Sequence, residues 1–195
     1  MKHRGFIFFI AGLALALTVG WLAFPAALYK NIEQPVQFSH AVHTRENVGM
    51  ACEDCHAFSD AGRFTGIPLV AKCAECHAEP LGETENEKRL VAEFITPNRE
   101  IEWLVYARQP VNVYFSHANH TQLAGLSCET CHGPHGATDS LRVFQQNRLS
   151  GYSRDIWGSS ISRLRNASWE GMKMDDCSRC HAERGVQESC IDCHK

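Results

Sequence analysis

Hydrophobic residues are distributed unevenly along this chain. Residues 5–29 carry no charged side chain, whereas charged and apolar residues are mixed from residue 30 onward. This uncharged run is longer than the roughly 20 residues that cross a bilayer as a helix. Lys2 and Arg4 precede it, so the positive-inside rule places residues 1–4 in the cytoplasm and residues 31–195 in the periplasm. The pattern predicts a single-pass inner-membrane protein with one amino-terminal transmembrane helix.

A cleaved signal peptide is the alternative for the same segment. The apolar region of a signal peptide normally covers about 7–15 residues and ends at an A-x-A-like site. Here Phe24 lies two positions before Ala26, and Pro25 lies two positions before Ala27, so neither alanine ends a good site. The length and the poor cleavage sites favour an uncleaved anchor.

Beyond the anchor, the apolar pattern is weak and predicts only short elements. Thr84 and Glu87 have the spacing of a capping box, which predicts a helix over about 85–95. The apolar, β-branched run 101–107 predicts a short strand. Residues 137–172, which are rich in serine and glycine, predict a solvated loop with a short helix.

The ten cysteines form five C-x-x-C pairs, and a histidine follows the second cysteine of every pair. C-x-x-C-H is the attachment signature of c-type haem. A zinc ribbon would combine the pairs two by two, which an odd number of pairs does not allow. A thioredoxin-like dithiol needs a βαβ context that the sequence lacks. We therefore predict five covalently bound haems c, with thioether bonds to Cys52, Cys55, Cys73, Cys76, Cys128, Cys131, Cys177, Cys180, Cys190 and Cys193.

This haem content determines the predicted fold class. Five haems on residues 31–195 leave roughly 33 residues for each porphyrin, so apolar macrocycles replace much of the side-chain core that a chain of this size builds. We predict a mostly α-helical and irregular multihaem cytochrome c domain over residues 31–195. It is organised by its haems and has little regular secondary structure.

The histidines indicate how the irons are ligated. Haem iron takes two axial ligands, and each C-x-x-C-H histidine supplies one. Of eleven histidines, five belong to the motifs and His3 precedes the anchor, so five remain for five irons. Bis-histidine ligation closes every iron, which favours electron transfer, and we predict no catalytic residue in this chain. The proximal ligands are His56, His77, His132, His181 and His194, and the candidate distal ligands are His40, His43, His117, His120 and His135.

Two of these predictions have structural alternatives. A spare histidine can be a surface or core residue, and this alternative applies most to His135. Conversely, residues 137–172 can bind haem propionates or dock a partner through Arg154, Arg163 and Arg165.

Part of the chain is a tandem repeat whose copies begin near residues 34 and 109. Both copies contain Q-P-V and then F-S-H-A-x-H-T. A glycine follows in each copy, Gly49 or Gly125, and then a C-x-x-C-H motif. Eight residues separate His43 from Cys52, and seven separate the corresponding residues of the second copy. This much agreement indicates two copies of one haem-binding unit.

The charge of the exported part indicates the kind of partner. The chain has 19 basic and 22 acidic residues, and Lys2, Arg4 and Lys30 lie outside residues 31–195. The exported part therefore carries 16 − 22 = −6 charges. This balance disfavours a nucleic-acid partner and favours a basic redox partner through electrostatic steering.

F-S-H-x-x-H followed by C-x-x-C-H resembles the class III multihaem cytochromes, the cytochrome c3 and c7 group. In that group the first histidine usually binds the haem of the next motif, and the second binds a different haem. The resemblance implies that His40 ligates the haem of His56 and that His117 ligates the haem of His132. It implies that His43, His120 and His135 serve the haems of His77, His181 and His194, in an order that stays open.

Over nearly the whole chain, the sequence is similar to the membrane-anchored multihaem subunits of two related assemblies, Qrc menaquinone reductase and alternative complex III. The similarity rests on the anchor, F-S-H-x-x-H, the G-I-P-L-V run 66–70, the I-E-W run 101–103 and V-Y-F-S-H. It implies an iron–sulfur/molybdopterin-type partner and a polytopic quinone-binding membrane subunit. The acidic exported part favours Qrc, with periplasmic tetrahaem cytochrome c3 as electron donor.

The expected function is thus an electron-transfer subunit that relays electrons between cytochrome c3 and a menaquinone-reducing complex. Alternative complex III, in which electrons leave quinol, is the nearest alternative, so the direction of flow stays open. A self-sufficient anchored quinol dehydrogenase and a freestanding storage or sensor cytochrome are the others. A sixth haem in this chain would be held without thioether bonds, because no cysteine is spare.

Overall fold

The computed structural model describes residues 2–45, 47–106, 109–154, 167, 169 and 171–194. Within these ranges the regular elements are short and widely separated, except at the amino terminus. The α-helices are Lys2–Thr18, Phe24–Leu28, His40–Thr44, Cys52–Cys55, Val70–Ala74, Glu85–Leu90, Cys128–His132, Met174–Glu183 and Cys190–Cys193. Single π-helical turns span Val19–Ala23, Val91–Ile95 and Asn119–Leu123, and a 3₁₀ turn spans His135–Ala137.

The amino-terminal helix is long, apolar and exposed. Lys2–Thr18 continues through the π-helical turn Val19–Ala23 into Phe24–Leu28. The wider turn lies directly before Pro25, whose missing N–H interrupts the α-helical hydrogen-bond ladder. Within the 25 residues Arg4–Leu28, an 18-residue window has a mean hydropathy of 2.3 and no buried residue. By length and composition this helix can cross a membrane, and an amino-terminal signal sequence has the same features. The helix ends at Leu28, one residue before the predicted boundary at residue 29.

A two-stranded antiparallel sheet follows this helix directly. Strand β1, Tyr29–Ile32, pairs with strand β2, Phe144–Asn147, so that Tyr29 lies opposite Asn147 and Ile32 opposite Phe144. The sheet ties the end of the helix to residues 144–147. The sequence pattern predicted neither strand, and β2 lies where a loop with a short helix was expected. Arg163 and Arg165 of that segment lie outside the described residues.

The strand predicted over 101–107 is wrong for residues 101–106, which are irregular. The Gln34 side chain explains the difference. Its amide donates to the carbonyl of Leu104 at 2.9 Å, and its oxygen accepts from the N–H of Leu104 at 3.0 Å. A buried side-chain amide thus satisfies the backbone groups that a neighbouring strand would otherwise pair.

The helix predicted over 85–95 is confirmed, although its capping box is only half formed. Thr84 Oγ1 accepts from the N–H of Glu87 at 3.3 Å, and Glu85–Leu90 continues through the π-helical turn to Ile95. The carboxylate of Glu87 bonds instead to groups outside the helix, which are described below.

The side-chain core is small. One cluster of buried residues joins Val36, Val70, Phe94 and Ile101, and Trp103 packs against it. The only other buried apolar residues in the described part of the chain are Ala41, Val91 and Phe144. The prediction of a mostly helical chain with little regular structure is confirmed. The polypeptide alone does not build the core that a domain of this length normally has.

Candidate haem-binding sites

The first F-S-H-x-x-H segment folds into one capped helical turn. Ser39 Oγ accepts from the N–H of Val42 at 3.2 Å, and His43 Nδ1 donates to the carbonyl of Ser39 at 2.8 Å. The ring of Phe38 lies edge-on to His40 and stacks on His43, with centroid distances of 4.9 and 4.5 Å. Cap, ring stacking and hydrogen bond together orient both imidazoles.

The second segment repeats these contacts. Ser116 Oγ accepts from the N–H of Asn119 at 3.2 Å, and His120 Nδ1 donates to the carbonyl of Ser116 at 2.8 Å. Phe115 lies edge-on to His117 at 4.9 Å and stacks on His120 at 4.6 Å. The sequence repeat is therefore also a repeat of local structure.

Three histidines of these segments each face the histidine of one C-x-x-C-H motif. In two of the three pairs the rings are nearly parallel, and in the third they are tilted. The pairs are His43–His77 (6.1 Å between ring centres, 55° between planes), His117–His132 (6.4 Å, 6°) and His120–His181 (6.1 Å, 18°).

These separations fit a metal ion between the rings. A metal–imidazole bond is about 2.0 Å long, and each nitrogen lies about 1.1 Å from its ring centre, so two trans ligands separate their ring centres by about 6.2 Å. The three observed distances, 6.1 to 6.4 Å, agree with this value. Each of the three pairs therefore has room for one haem iron between its two rings, which both imidazoles would hold.

The Nδ1 atoms of three motif histidines are held by oxygen acceptors, which leaves Nε2 of each available as a metal ligand. A hydrogen bond from the second ring nitrogen is the usual way in which proteins orient a metal-binding histidine. A carbonyl holds one of them, and carboxylates hold two. The contacts are His56 to the Gly66 carbonyl (2.9 Å), His77 to Glu87 Oε1 (2.8 Å) and His181 to Glu188 Oε2.

Glu87 was interpreted from the sequence only as a capping residue. Its carboxylate also accepts from the backbone N–H groups of Leu81 at 2.8 Å and Gly82 at 2.9 Å. Burial raises the pKa of Glu87, but the hydrogen bonds from Leu81, Gly82 and His77 outweigh it and hold the pKa below its usual value. Glu87 is thus an ionised acceptor for the ring of His77. Its position three residues after Thr84 gave no sign of this role.

His40 lies in a cluster with its expected partner His56. Burial lowers the pKa of His40, and so do the neighbouring rings of His56, His135 and His43. The Nδ1 of His40 is 3.4 Å from the hydroxyl of Thr138. The 3₁₀ turn His135–Ala137 packs against this helix, which brings His135 to the first repeat.

Neighbouring thiols place the five motifs in an order that differs from the chain order. All ten cysteines are described, and none forms a disulfide. Burial and a thiol of another motif raise the pKa of four of these cysteines. Cys128 is one of the four, and its pKa rises to about 11. The neighbouring pairs are Cys73–Cys55, Cys128–Cys52, Cys131–Cys180 and Cys177–Cys193. These neighbours indicate the spatial order 73–77, 52–56, 128–132, 177–181 and 190–194.

Two further contacts support this order. Phe64 stacks on His117 at 4.1 Å, and its ring centre lies 6.4 Å from that of His56, so an aromatic ring connects the first motif to the histidine that faces His132 of the third. The N–H of Tyr114 donates to the carbonyl of Cys193 at 2.7 Å, which ties the last motif to the second repeat.

Comparison with known proteins identifies the family of the chain. Residues 22–100 match the sequence profile of the class III cytochrome C family. Over 203 aligned positions the chain is 40% identical to the menaquinone reductase, multiheme cytochrome c subunit, of Nitratidesulfovibrio vulgaris strain Hildenborough. The alignment covers 96% of this chain and 89% of that protein. The chain therefore belongs to the same family as this multihaem subunit, and its residues 22–100 match the class III cytochromes c, a family that carries covalent c-type haem.

Proposed function

We propose that the chain is the electron-transfer subunit of a membrane complex linked to menaquinone, and that it holds five haems c. The observation that carries the proposal is the set of three facing histidine pairs at iron-bridging distance. The relative's role in a menaquinone reductase supports the quinone link. An iron held by both rings of a pair would have no free position for a substrate.

The geometry of the rings supports the ligand assignments. His43 with His77, His117 with His132 and His120 with His181 are the proposed axial pairs. His40 and His56 are the proposed fourth pair, as the family resemblance implies, and the effect of the His56 ring on the pKa of His40 supports it. His135 and His194 remain as the fifth distal and the fifth proximal ligand by count alone, since the structure brings His135 to the first repeat and ties the last motif to the second. The ten motif cysteines would form the thioether bonds.

The residues around these sites orient and shield the haems. Each haem accepts and releases one electron, and the protein determines its position and potential. The carbonyls of Ser39 and Ser116 and the carboxylate of Glu87 hold Nδ1 of His43, His120 and His77, which would leave Nε2 of each ring free to bind an iron. Phe38 and Phe115 stack on His43 and His120 and help to orient these rings.

The order of the motifs supports conduction through the molecule. Motifs that adjoin through their thiols would place consecutive haems next to each other, and the relay would run from motif 73–77 through 52–56, 128–132 and 177–181 to 190–194. Its two ends are then available to a donor and an acceptor.

The exposed amino-terminal helix supports a membrane anchor with the haem domain in the periplasm. The proposed partners are an iron–sulfur/molybdopterin-type subunit, a polytopic quinone-binding subunit and periplasmic cytochrome c3. The charge of −6 on residues 31–195 suits a basic donor. The relative's name favours menaquinone reduction over the quinol oxidation of alternative complex III. Reduction of the quinone would take place in the partners.

The proposal is tested by isolating the protein from membranes in mild detergent. We expect large membrane and iron–sulfur subunits to copurify with this chain, and the separated chain to have no quinol-oxidising activity. Isolation of the chain alone, in a form that still oxidises quinol, would contradict the proposal and favour a self-sufficient quinol dehydrogenase.

A further inference from the structure

A basic cavity lies where the amino-terminal helix meets the two-stranded sheet. Its volume is about 430 Å³, and its lining includes Ala26 and Tyr29 from the helix end and the first strand. Three cationic side chains also line it: Lys30, Arg148 and Arg154. The lining contains no acidic residue.

The fold holds these cations in place. The backbone N–H of Arg148 donates to the carbonyl of Leu28, the last helical residue, at 2.9 Å. The guanidinium of Arg154 lies 5.4 Å above the ring of Tyr29 and donates to Gln145 at 3.1 Å. Lys30 is fixed in the sheet opposite Gln146. The cluster is therefore built by the fold and does not arise from flexible surface side chains alone.

The charge of the cavity contrasts with its surroundings. Residues 31–195 carry a net charge of −6, and the cavity collects three positive charges. Within the described part of the chain, none of the three cations forms an ion pair with a carboxylate. Uncompensated cations at one place on an acidic protein favour an anionic ligand.

The position of the cavity indicates which anion. A helix of 25 residues is about 37 Å long, which exceeds a hydrocarbon core of about 30 Å, so its last turn lies at the depth of the lipid headgroups. Trp21, Leu22 and Phe24 are exposed just before the cavity and would contact acyl chains. Tyr29 is a residue type that is enriched at this depth.

We propose that the cavity binds the phosphate headgroup of an anionic phospholipid. Arginine side chains bind phosphate through paired, charge-assisted hydrogen bonds, and basic pockets next to membrane helices recognise anionic headgroups. The bound lipid would fix the orientation of the haem domain on the membrane. The inference rests on the proposed function only in requiring that the helix is an uncleaved anchor.

The test uses the complex purified from membranes and then depleted of lipid. Native mass spectrometry measures the binding of dihexanoyl phosphatidylglycerol, dihexanoyl phosphatidylcholine and inorganic phosphate. The variant carries Arg148→Gln and Arg154→Gln, and the matched control is Arg63→Gln on an exposed loop. We expect phosphatidylglycerol to bind on the order of tenfold more tightly than the other two probes. The double variant should lose at least this factor, and the control should lose none.

Equal binding of the two lipids, equal binding of inorganic phosphate, or full binding by the double variant would overturn the proposal. Loss of haem from the double variant would also overturn it, because the arginines would then hold propionates. Amino-terminal sequencing of the purified chain separates the two proposals: a chain that begins after residue 28 contradicts the anchor itself, whereas an intact chain without lipid selectivity contradicts only the lipid site.

Discussion

The two tandem repeats have the same local structure but face different surroundings. In the second repeat His117 and His120 face two motif histidines with interplanar angles of 6° and 18°. In the first repeat His43 faces its partner with a tilt of 55°, and His40 lies in a cluster of several histidines. A short motif thus determines how its own rings are held, whereas tertiary packing determines what they face.

The one-residue difference in spacing between the repeats does not cause this divergence. Both repeats turn at a glycine in the left-handed region, Gly49 with φ 67° and Gly125 with φ 65°. In both, the next residue donates its N–H to the carbonyl of the second histidine, from Met50 to His43 and from Leu126 to His120, at 3.0 Å. The extra residue is accommodated within the loop.

The two repeats differ in their surroundings because the segment around His135 is hydrogen-bonded to the first repeat. The N–H of Ala41 donates to the carbonyl of Thr138 at 3.0 Å, and the hydroxyl of Thr44 donates to the carbonyl of Gly136 at 2.7 Å. These bonds fasten a third chain segment onto the first repeat and add His135 to its cluster. The first repeat is therefore the more crowded of the two sites.

Removing the first histidine of each repeat should have the largest effect on the haems. In His117→Ala we expect one haem to become high-spin, because the facing pair loses one of its two ligands. His40→Ala should likewise convert one haem. Electron paramagnetic resonance measures the high-spin signal, and Asn119→Ala is the control. Unchanged spectra in His117→Ala would rule out the pairing with His132.

The turn glycines provide the next largest effect. Ala at Gly49 or Gly125 must adopt a positive φ, which costs about 1–2 kcal/mol in the free energy of unfolding. We expect equal losses in both repeats, measured by denaturant titration. Gly136→Ala is the control, since a Cβ there meets only Thr44 at an ordinary contact distance of 3.7 Å. A loss at one glycine alone would show that the repeats are not equivalent.

Two motif histidines, His77 and His181, donate hydrogen bonds to carboxylates, which are expected to lower the reduction potentials of the haems that these histidines bind. In Glu87→Gln the charged acceptor of His77 becomes neutral, so the ligand is less basic and one haem potential rises by roughly 60 mV. Spectroelectrochemical titration measures the shift. Glu188→Gln should shift a different haem in the same direction. Glu85→Gln, an exposed residue paired with Lys88, should shift neither. A potential that falls in Glu87→Gln would reverse the assigned role.

The serine caps provide the smallest effect. Ser39→Ala and Ser116→Ala each remove one cap, which costs about 1 kcal/mol of stability. The carbonyls that hold His43 and His120 are retained, so the spectra should not change. Denaturant titration measures the loss, and a spectral change with either substitution would show that the hydroxyl acts on the histidine itself.

Local features were predictable from the sequence, and features set by distant contacts were not. The repeat, the start of the helix at Glu85 and the apolar amino-terminal helix follow from short-range patterns. The strands Tyr29–Ile32 and Phe144–Asn147 were missed, because they are polar and pair across more than a hundred positions. The predicted strand at 101–107 was wrong, because one buried amide, that of Gln34, satisfies the backbone of Leu104.

In the candidate site, too, local features were predictable and long-range contacts were not. The motif cysteines and histidines were predicted from spacing, and their count suggested closed irons. The pairing of His43 with His77 and of His120 with His181 depends on tertiary packing, and the sequence left that order open. Glu87 and Glu188 were missed as partners of motif histidines, because their contacts cross loops whose course the sequence does not determine.

The central claim is that the chain holds five haems whose irons are all closed by histidine pairs. It is tested most directly by electron paramagnetic resonance of the fully oxidised protein, with the spins counted against the protein concentration. The account predicts about five low-spin ferric haems for each chain and no high-spin signal. A high-spin signal that integrates to one haem or more, or a total below five, would contradict it.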